Sequence, residues 1–383
     1  MVRLGDICTI VSGSTPKSNV PEYWDGDIKW ITPAELTEDS YIINDSVRHI
    51  TELGVAKTGI KPFPQGTVIL SSRAPIGKTA IAGCEMYCNQ GFKNLICSEK
   101  INPRYLYWFL TCNTEYLNSL GRGATFKEIS KEIVANIEIP LPAIEQQISI
   151  AEKFEKISDL IALRKEQLVK LDQLVKSRFI ELFGDPAINP KGWETKSLLD
   201  MGYCKNGMNF HTGDSGIEMH CLGVGDFKDL SVIDGTEHLP IVSLNEAPPE
   251  ESMLRDGDIV FVRSNGNKAL VGRCLVVYPH YTPTIYSGFC IRYRLTSSEV
   301  NTTYLLRVLK TDSMRKKMAG RGANIQNLNQ QILAALDIPL PPIEQQQQFA
   351  AFVEQTDKSK LVIQQSLDKL ELLKKSLMQE YFG

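Results

Sequence analysis

Side chains that form good hydrogen bonds with base edges cluster in two separate stretches of the sequence. The first set is Arg73, Lys78, Asn89, Gln90 and Lys93. The second set is Arg263, Asn265, Asn267, Lys268 and Arg273. Arg, Lys, Asn and Gln are the residue types that distinguish base pairs best in the major groove. Each of these residues taken singly fits a solvated surface or turn position equally well, so the hypothesis of DNA contact rests on the sets.

Two further arginines are flanked by glycines and predict loops that approach a phosphate backbone. Arg122 lies in Gly121-Arg122-Gly123, and Arg321 lies in Gly320-Arg321-Gly322. Phosphate contacts position a protein on DNA without reading its sequence. We therefore interpret these two residues as positioning contacts.

The distribution of charge supports two phosphate-binding faces, although the net charge of −3 alone does not. Residues 54–131 hold 10 basic and 4 acidic side chains, and residues 255–321 hold 12 basic and 4 acidic ones. Each basic stretch follows an acidic stretch. A basic stretch in a near-neutral chain can bind phosphates while the rest stays soluble. The alternative is that opposite charges pair across the surface of each domain.

An internal repeat organises the chain. Residues 137–184 align without gaps to residues 336–383 at an offset of 199, and 19 of the 48 positions are identical. The offset continues upstream, where Tyr105-Leu106 matches Tyr304-Leu305. Such a long ungapped match indicates duplication of one structural unit.

Each repeat has two parts. The first mixes short β-rich runs, such as Thr67–Leu70, with short helical stretches between Gly, Pro and Asn residues, which predicts an α+β domain. The second begins at Leu-Pro and continues for about 40 residues without Pro or Gly, which predicts one long helix. The predicted segments are two globular domains at 1–141 and 185–340 and two helices at 142–184 and 341–383.

The spacing of apolar residues predicts that the long helices pair. Phe154, Ile161, Leu168, Val175 and Leu182 recur every seven residues. Heptad spacing gives a helix one apolar stripe, which needs a partner helix. The partner is expected to be the other copy, and a pseudo-twofold relation would make the two helices an antiparallel coiled coil. The alternative is that each helix packs only on its own domain.

The sequence lacks the common catalytic motifs. It has no phosphate-cradling Walker A segment, no glycine-rich methyl-donor or dinucleotide turn, and no evident nucleophile with its base. The five histidines and nine cysteines show no metal-ligand spacing, so we expect no metal, no cofactor and no catalytic residue. The N-terminus lacks an apolar signal segment and no apolar run could span a bilayer, so we expect a cytoplasmic protein.

Several segments resemble the specificity subunit of type I restriction–modification systems, and the resemblance covers the whole length. They are Tyr-Trp-Asp-Gly-Asp-Ile-Lys-Trp-Ile-Thr-Pro at 23–33, Ser-Ser-Arg-Ala-Pro-Ile-Gly at 71–77, and Ile-Pro-Leu-Pro-x-Ile-Glu-Gln-Gln at both 139–147 and 338–346. The second domain has Gly-Asp-Ile-Val-Phe-Val-Arg-Ser-Asn-Gly-Asn at 257–267 where the first has its Ser-Ser-Arg segment. The two domains thus differ where they would contact DNA.

The resemblance implies that this chain supplies recognition only. In that family two methyltransferase subunits use S-adenosylmethionine to methylate adenine, and restriction subunits use ATP with magnesium to translocate and cleave DNA. Each of the two globular domains would then be a target recognition domain that reads one half of a bipartite, asymmetric site on double-stranded DNA. The long helices would set the spacer and dock the methyltransferase subunits. Trp24 and Trp30 are expected in the core rather than as stacking platforms.

Other readings of the sequence remain open. A coiled-coil adaptor would explain the helices but not the repeated basic stretches, and salt-dependent DNA binding would separate the two. The specificity subunit of a related enzyme, with restriction and methylation fused in the partner, would look the same at this level. A self-sufficient methyltransferase would require a methyl-donor motif that the sequence lacks.

Overall fold

A computed structural model describes residues 1–37, 39–73, 75–123, 127–211, 213–228, 230–319 and 327–383, with only the backbone of Lys268 and Ala319. Packing divides the chain into two compact units. Residues 1–166 and 364–383 form the first unit, and residues 167–363 form the second. Each unit therefore contains one α+β domain and a part of both long helices. None of the helices in the described ranges is long and apolar enough to cross a membrane.

In the described residues of the first domain, ten short strands and five short helices precede the first long helix. The strands are β1 (Val2–Arg3), β2 (Cys8–Val11), β3 (Trp24–Ile31), β4 (Ile42–Ile43), β5 (Arg48–Ile50), β6 (Val68–Leu70), β7 (Thr79–Ala82), β8 (Tyr87–Cys88), β9 (Asn94–Cys97) and β10 (Glu138–Ile139). The helices are α1 (Leu4–Ile7), α2 (Glu52–Thr58), α3 (Pro103–Cys112), α4 (Thr114–Ser119), α5 (Lys131–Ala135) and the long α6 (Ile144–Phe183).

The second domain repeats this sequence of strands. They are β11 (Thr195–Ser197), β12 (Gly202–Asn206), β13 (Ile217–Leu222), β14 (Val232–Asp234), β15 (Ile241–Leu244), β16 (Asp258–Val262), β17 (Cys274–Tyr278), β18 (Thr284–Tyr286), β19 (Cys290–Leu295) and β20 (Asp337–Pro339). The helices are α7 (Thr302–Lys310), α8 (Asp312–Ala319), α9 (Gln330–Ala334) and the long α10 (Ile343–Phe382).

The two domains have the same sheet topology, strand for strand. In the first, a five-stranded sheet has the order β2-β9-β6-β7-β4, a three-stranded sheet has the order β5-β3-β8, and β1 pairs with β10. In the second, the orders are β12-β19-β16-β17-β14 and β15-β13-β18, and β11 pairs with β20. Every strand of the first domain thus has a counterpart ten strands later. The duplication extends through the whole domain, well beyond the segments whose sequences align.

The long helices match the predicted segments closely. They begin at Ile144 and Ile343, just after the Leu-Pro pairs. Gly184 follows the end of α6 with a φ of 75°, and its N–H donates to the carbonyl of Ile180 at 2.8 Å. This left-handed conformation is one that glycine adopts without steric cost, which explains why the helix ends there.

Within the first unit the two long helices run antiparallel. Phe154 of α6 stacks on Phe382 of α10, with ring centroids 5.6 Å apart. Lys165 pairs with Glu371 at 3.3 Å, so the α10 number falls as the α6 number rises. Lys374, which interrupts the apolar spacing of α10, places its ammonium 4.9 Å from the ring centre of Trp108.

The second unit contains the corresponding antiparallel packing. Phe179 of α6 contacts Phe349 of α10, with centroids 5.5 Å apart. Lys360, the other lysine that interrupts the apolar spacing, binds Asp172 at 2.5 Å and Asp357 at 3.1 Å. The expectation that the helices pair with each other is confirmed, and the alternative that each packs only on its own domain is wrong.

Two tryptophans of the first domain belong to its core. Trp24 and Trp30 are buried and meet edge to face at 5.1 Å, as expected for core residues. The guanidinium of Arg48 lies 3.6 Å from the ring centre of Trp24.

All nine cysteines are free thiols, and no group of three His, Cys, Asp or Glu side chains in the described residues is placed to hold a metal ion.

Candidate nucleic-acid interface

The first candidate interface forms where β6 leaves the five-stranded sheet. The chain continues from Leu70 through Ser71 and Ser72 to Arg73. The N–H of Ser72 donates to the carbonyl of Gly91 at 2.7 Å, and the N–H of Ile129 donates to the carbonyl of Ser72 at 3.0 Å. These bonds hold Arg73 between two neighbouring segments at one end of the sheet.

Three charged side chains meet at this point. The Nε of Arg73 donates to Glu128 at 2.9 Å, and the ammonium of Lys93 donates to the other oxygen of Glu128 at 3.1 Å. Lys93 is 7% exposed, whereas the side chain of Arg73 is 45% exposed. Burial acts to raise the pKa of Glu128, but the hydrogen bonds from Lys93 and Arg73 outweigh it and hold the pKa below its usual value. Glu128 therefore orients Arg73 through Nε and leaves its outer edge exposed.

The other candidates of the first domain lie on two sides of this cluster. Arg122 exchanges both backbone hydrogen bonds with Glu128 at 3.0 Å, and its side chain is exposed. Asn89 accepts the N–H of Gly91 at 2.9 Å, so its side chain shapes the turn that contacts Ser72. Gln90 is exposed and accepts a hydrogen bond from Thr15 at 2.5 Å. The structure thus brings most of the first set together.

Two lysines of the first set are bound within the domain. Lys93 is buried against Glu128 and Ser72. The ammonium of Lys78 donates to the carbonyl of Leu36 at 2.5 Å and is half-buried. Both ammonium groups are therefore bonded inside the domain, where they support the exposed residues of the interface.

The second candidate interface forms at the equivalent place, where β16 leaves its sheet. The N–H of Arg263 donates to the carbonyl of Phe289 at 2.8 Å, and the N–H of Leu328 donates to the carbonyl of Arg263 at 2.7 Å. Ser264 then forms a backbone bridge with Asn327. The side chain of Arg263 makes one long contact, from Nη1 to the carbonyl of Gly288 at 3.4 Å.

The asparagines that follow Arg263 build the loop. Asn265 accepts the N–H of Asn267 at 2.8 Å, and Asn267 accepts the N–H of Ala269 at 3.0 Å. A single 3₁₀ turn at Lys268–Leu270 follows. Arg273 donates to the carbonyl of Lys228 at 2.7 Å. The side chain of Lys268 and the whole of Arg321 lie outside the described residues.

The backbone hydrogen bonds show which residues of the two domains occupy equivalent positions. In this alignment Arg73 and Arg263 are not equivalent. Ser72 bonds to Gly91 and Ile129 as Arg263 bonds to Phe289 and Leu328. Ser72 is therefore the counterpart of Arg263, and by the same rule Arg73 and Glu128, which form a backbone bridge, correspond to Ser264 and Asn327. One frame thus presents different side chains at the same positions.

Some of the basic charge in the second domain is used inside it. Arg294 forms a two-pronged ion pair with the buried Asp258, at 2.8 and 2.7 Å. Arg292 is fully buried, with one bond to the carbonyl of Glu251 at 3.2 Å. The excess of basic over acidic residues in 255–321 is therefore larger than the excess of positive charge at the surface of the second domain.

Residues that the sequence did not single out complete the first interface. Glu128 is the most important of them, because it binds both Arg73 and Lys93. Its signal in the sequence is that it is one of only 4 acidic residues in the basic stretch 54–131. Thr15, which binds Gln90, carries no comparable signal.

Comparison with known proteins identifies the family of this chain. Residues 1–173 and 190–372 match the type I restriction modification DNA specificity domain. The specificity subunit of the type I restriction enzyme MjaIX from Methanocaldococcus jannaschii is 38% identical over 225 residues, which are 54% of this chain and 52% of that relative. The StySPI specificity subunit of Salmonella potsdam is 27% identical over 360 residues, which are 86% of this chain and 76% of that relative.

The fold is also found among solved structures. The crystal structure of the S subunit of a type I restriction–modification system from M. genitalium superposes with a TM-score of 0.59 at 14% identity, covering 100% of this chain and 95% of that one. At this identity the likeness concerns the fold alone. Since the family match extends over both domains and about three quarters of each long helix, this chain belongs to the type I restriction–modification DNA specificity family.

Proposed function

We propose that this chain is the non-catalytic subunit that selects the DNA site for a methylating and cleaving complex. Each domain reads one short half-site, and the two half-sites differ in sequence. The observation that carries this proposal is the register of the two domains: the same backbone frame presents Ser72 and Arg73 in one and Arg263 and Ser264 in the other. A duplicated reader with different side chains at its tip suits an asymmetric, bipartite site.

The long helices supply the surface for partner subunits. In the first unit Leu160, Leu163, Leu372 and Leu373 are exposed. On the parts of the long helices that lie in the second unit, Val169, Leu174, Ile180, Leu361 and Val362 are exposed. Apolar side chains on a helix are normally covered by another helix, which suits a bundle completed by two methyltransferase subunits.

The chemistry belongs to those partners. The methyltransferase subunits would use S-adenosylmethionine, and the restriction subunits would use ATP with magnesium, while this chain needs no cofactor to recognise DNA. The complex would act in the cytoplasm, where the chromosome is accessible. An enzyme that fuses restriction and methylation in one partner would use this chain in the same way.

The proposal is tested by mapping methylated adenines after expression with the two partner subunits in a methylation-free host. We expect one motif made of two unlike half-sites separated by a spacer of fixed length. Omission of this chain is the control and should abolish the motif. A single continuous motif, or methylation that does not depend on this chain, would overturn the proposal. An adaptor without DNA readout would leave no motif at all.

A further inference from the structure

A cavity of about 630 Å³ lies within the second unit, between α6 and the helices of the second domain. Its walls come from the C-terminal part of α6, from the end of α7 and the start of α8, from Phe227, Lys228, Leu230 and Ser231, and from residues 272–274. Its volume falls within the range of about 300–1,000 Å³ that is typical of small-molecule sites.

Positive charge predominates in the lining. The basic residues are Lys176, Lys228, Arg273, Arg307, Lys310 and Arg315. Among the described residues of the lining, the acidic ones are Asp172, Asp185 and Asp312. Asp172 is bound by Lys360, and Asp185 accepts the N–H of Ala187 at 2.8 Å. The acids of the lining are thus outnumbered, and two of them are engaged by residues outside it.

Two guanidinium groups of the cavity are incompletely bonded. The Nε of Arg307 and the Nε of Arg315 are buried and have no hydrogen-bond partner among the described residues. Burial lowers the pKa of Arg307 and that of Lys310, and the positive charges nearby lower that of Lys310 further. Burying like charges together is unfavourable unless an anion compensates them.

The basic residues are not required by the duplicated frame. Arg307 and Lys310 lie on α7, whose counterpart in the first domain is α3. At the offset of 199, the equivalent residues are Trp108 and Thr111. The same helix packs against the long helices in the first unit with an uncharged residue at both positions. The ammonium of Lys310 donates to the carbonyl of Leu230 at 3.0 Å and to the hydroxyl of Ser231 at 2.8 Å, which ties α7 to that segment. The duplicated frame gives no such reason for the charge of Arg307.

We propose that this cavity binds a nucleotide through its phosphate groups. Guanidinium and ammonium groups are the side chains that bind phosphate oxygens most strongly. Ile180 and Leu230 are also in the lining, are exposed, and suit the apolar surface of a base or sugar. The nucleotide is either free in solution or part of a DNA strand, since both present the same phosphate chemistry.

Nucleotide binding in the cavity can be tested separately from the choice of the DNA site. Arg273 belongs to both the cavity and the candidate interface, whereas Arg307 and Lys310 belong to the cavity alone. Variants of these two residues therefore test the cavity, and the methylation map tests the choice of DNA site. Either result can fail while the other holds.

The test measures binding of ATP, pyrophosphate and adenosine to the full-length chain by calorimetry at constant ionic strength. The variants are Arg307→Met and Lys310→Met, and the control is Lys317→Met, which removes an exposed charge of α8 outside the cavity. We expect ATP and pyrophosphate to bind the wild type and the control, and either cavity variant to lose about tenfold or more in affinity. Thermal unfolding by circular dichroism verifies the fold, and two variants guard against failure of one.

A competition experiment between ATP and duplex DNA shows whether the nucleotide is free or part of a DNA strand. If a DNA strand supplies it, ATP will displace a bound duplex, and Arg307→Met will weaken duplex binding. If a free nucleotide supplies it, ATP will bind the duplex-bound chain with unchanged affinity. Equal ATP binding by the wild type and both cavity variants would overturn the proposal. Absence of ATP and pyrophosphate binding by the wild type would overturn it too. If the variants then also lost methyltransferase assembly, the cavity would be a contact for an acidic protein surface.

Discussion

The side chain of Gln147 is bonded to the backbone of Asn102 at the start of the first long helix. Its Oε1 accepts the N–H of Asn102 at 2.8 Å, while Nε2 donates to the carbonyls of Lys100 at 3.0 Å and Pro142 at 2.9 Å. Gln147 is fully buried. One side chain thus joins the first turn of α6 to the segment of the domain that leads into α3.

The second repeat contains the same joint. Gln346 accepts the N–H of Asn301 at 2.8 Å and donates to the carbonyls of Glu299 at 3.1 Å and Pro341 at 2.8 Å. The last glutamine of each Ile-Glu-Gln-Gln motif is therefore the residue that fixes a domain to its helix. This bonding gives a physical reason for the sequence that identifies the repeat.

Replacing Gln147 with Leu should loosen the first domain from α6. The substitution leaves a buried N–H and two carbonyls without partners, which we expect to cost about 2–4 kcal/mol. Hydrogen exchange at residues 100–106 and 142–150 would measure the local loss. Gln146→Leu is the matched control because Gln146 is exposed. Equal loss of protection in both variants would contradict the role of the joint.

Replacing Glu128 with Gln should weaken recognition of a DNA half-site by the first domain. The change releases Arg73 and leaves the buried ammonium of Lys93 without its counter-charge. We expect affinity for the cognate duplex to fall by about 1–3 kcal/mol, with the loss confined to base pairs of one half-site. Fluorescence anisotropy on duplexes substituted one base pair at a time would locate the effect. Glu132→Gln, at an exposed position nearby, should bind as the wild type does.

Replacing Arg263 with Ala should relax or weaken the other half-site. If its guanidinium contacts a guanine, the loss is about 1–3 kcal/mol at one base pair. The same anisotropy series measures it. Arg255→Ala is the control, since Arg255 pairs with Glu250 at 2.7 Å on the surface of the same domain. If the target sequence and the affinity were unchanged, Arg263 would not be a residue that recognises bases.

Exchanging residues 1–136 for the equivalent domain of another family member should change one half-site only. The five-stranded and three-stranded sheets form within residues 1–136, whereas β10, which pairs with β1, and the core residues Phe154 and Phe382 stay in the retained frame, so the second domain should be unaffected. Methylation mapping of the hybrid with its partner subunits gives the result. A change in both half-sites would show that the domains do not read independently.

The sequence predicted the helices far better than the sheets. Heptad spacing and the absence of Pro and Gly over about 40 residues are local signals, and α6 and α10 lie where these signals place them. The strands are 2 to 8 residues long, and pairs such as β2 with β9 join residues that are far apart in the chain. Short strands with distant partners carry little periodicity, so their order could not be derived from the pattern.

Residue type selected the candidates for DNA contact, but it could not show which positions of the two domains are equivalent. Arg73 and Arg263 were both named as candidates, yet backbone bonding shows that they are not equivalent. Arg294 also stands in a basic stretch, but it forms an ion pair with Asp258. Composition cannot separate an exposed arginine from one that is paired inside the domain, because both contribute the same charge to the count.

Lengthening both long helices should lengthen the spacer between the half-sites. Each helix runs from one unit into the other, so an insertion after Gln167 and another after Ser366 change both connections together. Four residues add about 6 Å and nearly preserve the helix face, which corresponds to one or two base pairs at about 3.4 Å each. We expect the methylation map of this variant to keep both half-sites and gain that spacing. Two inserted residues would rotate the apolar face by about 200° and should prevent assembly. An active four-residue variant with the original spacer would show that the helices do not determine its length.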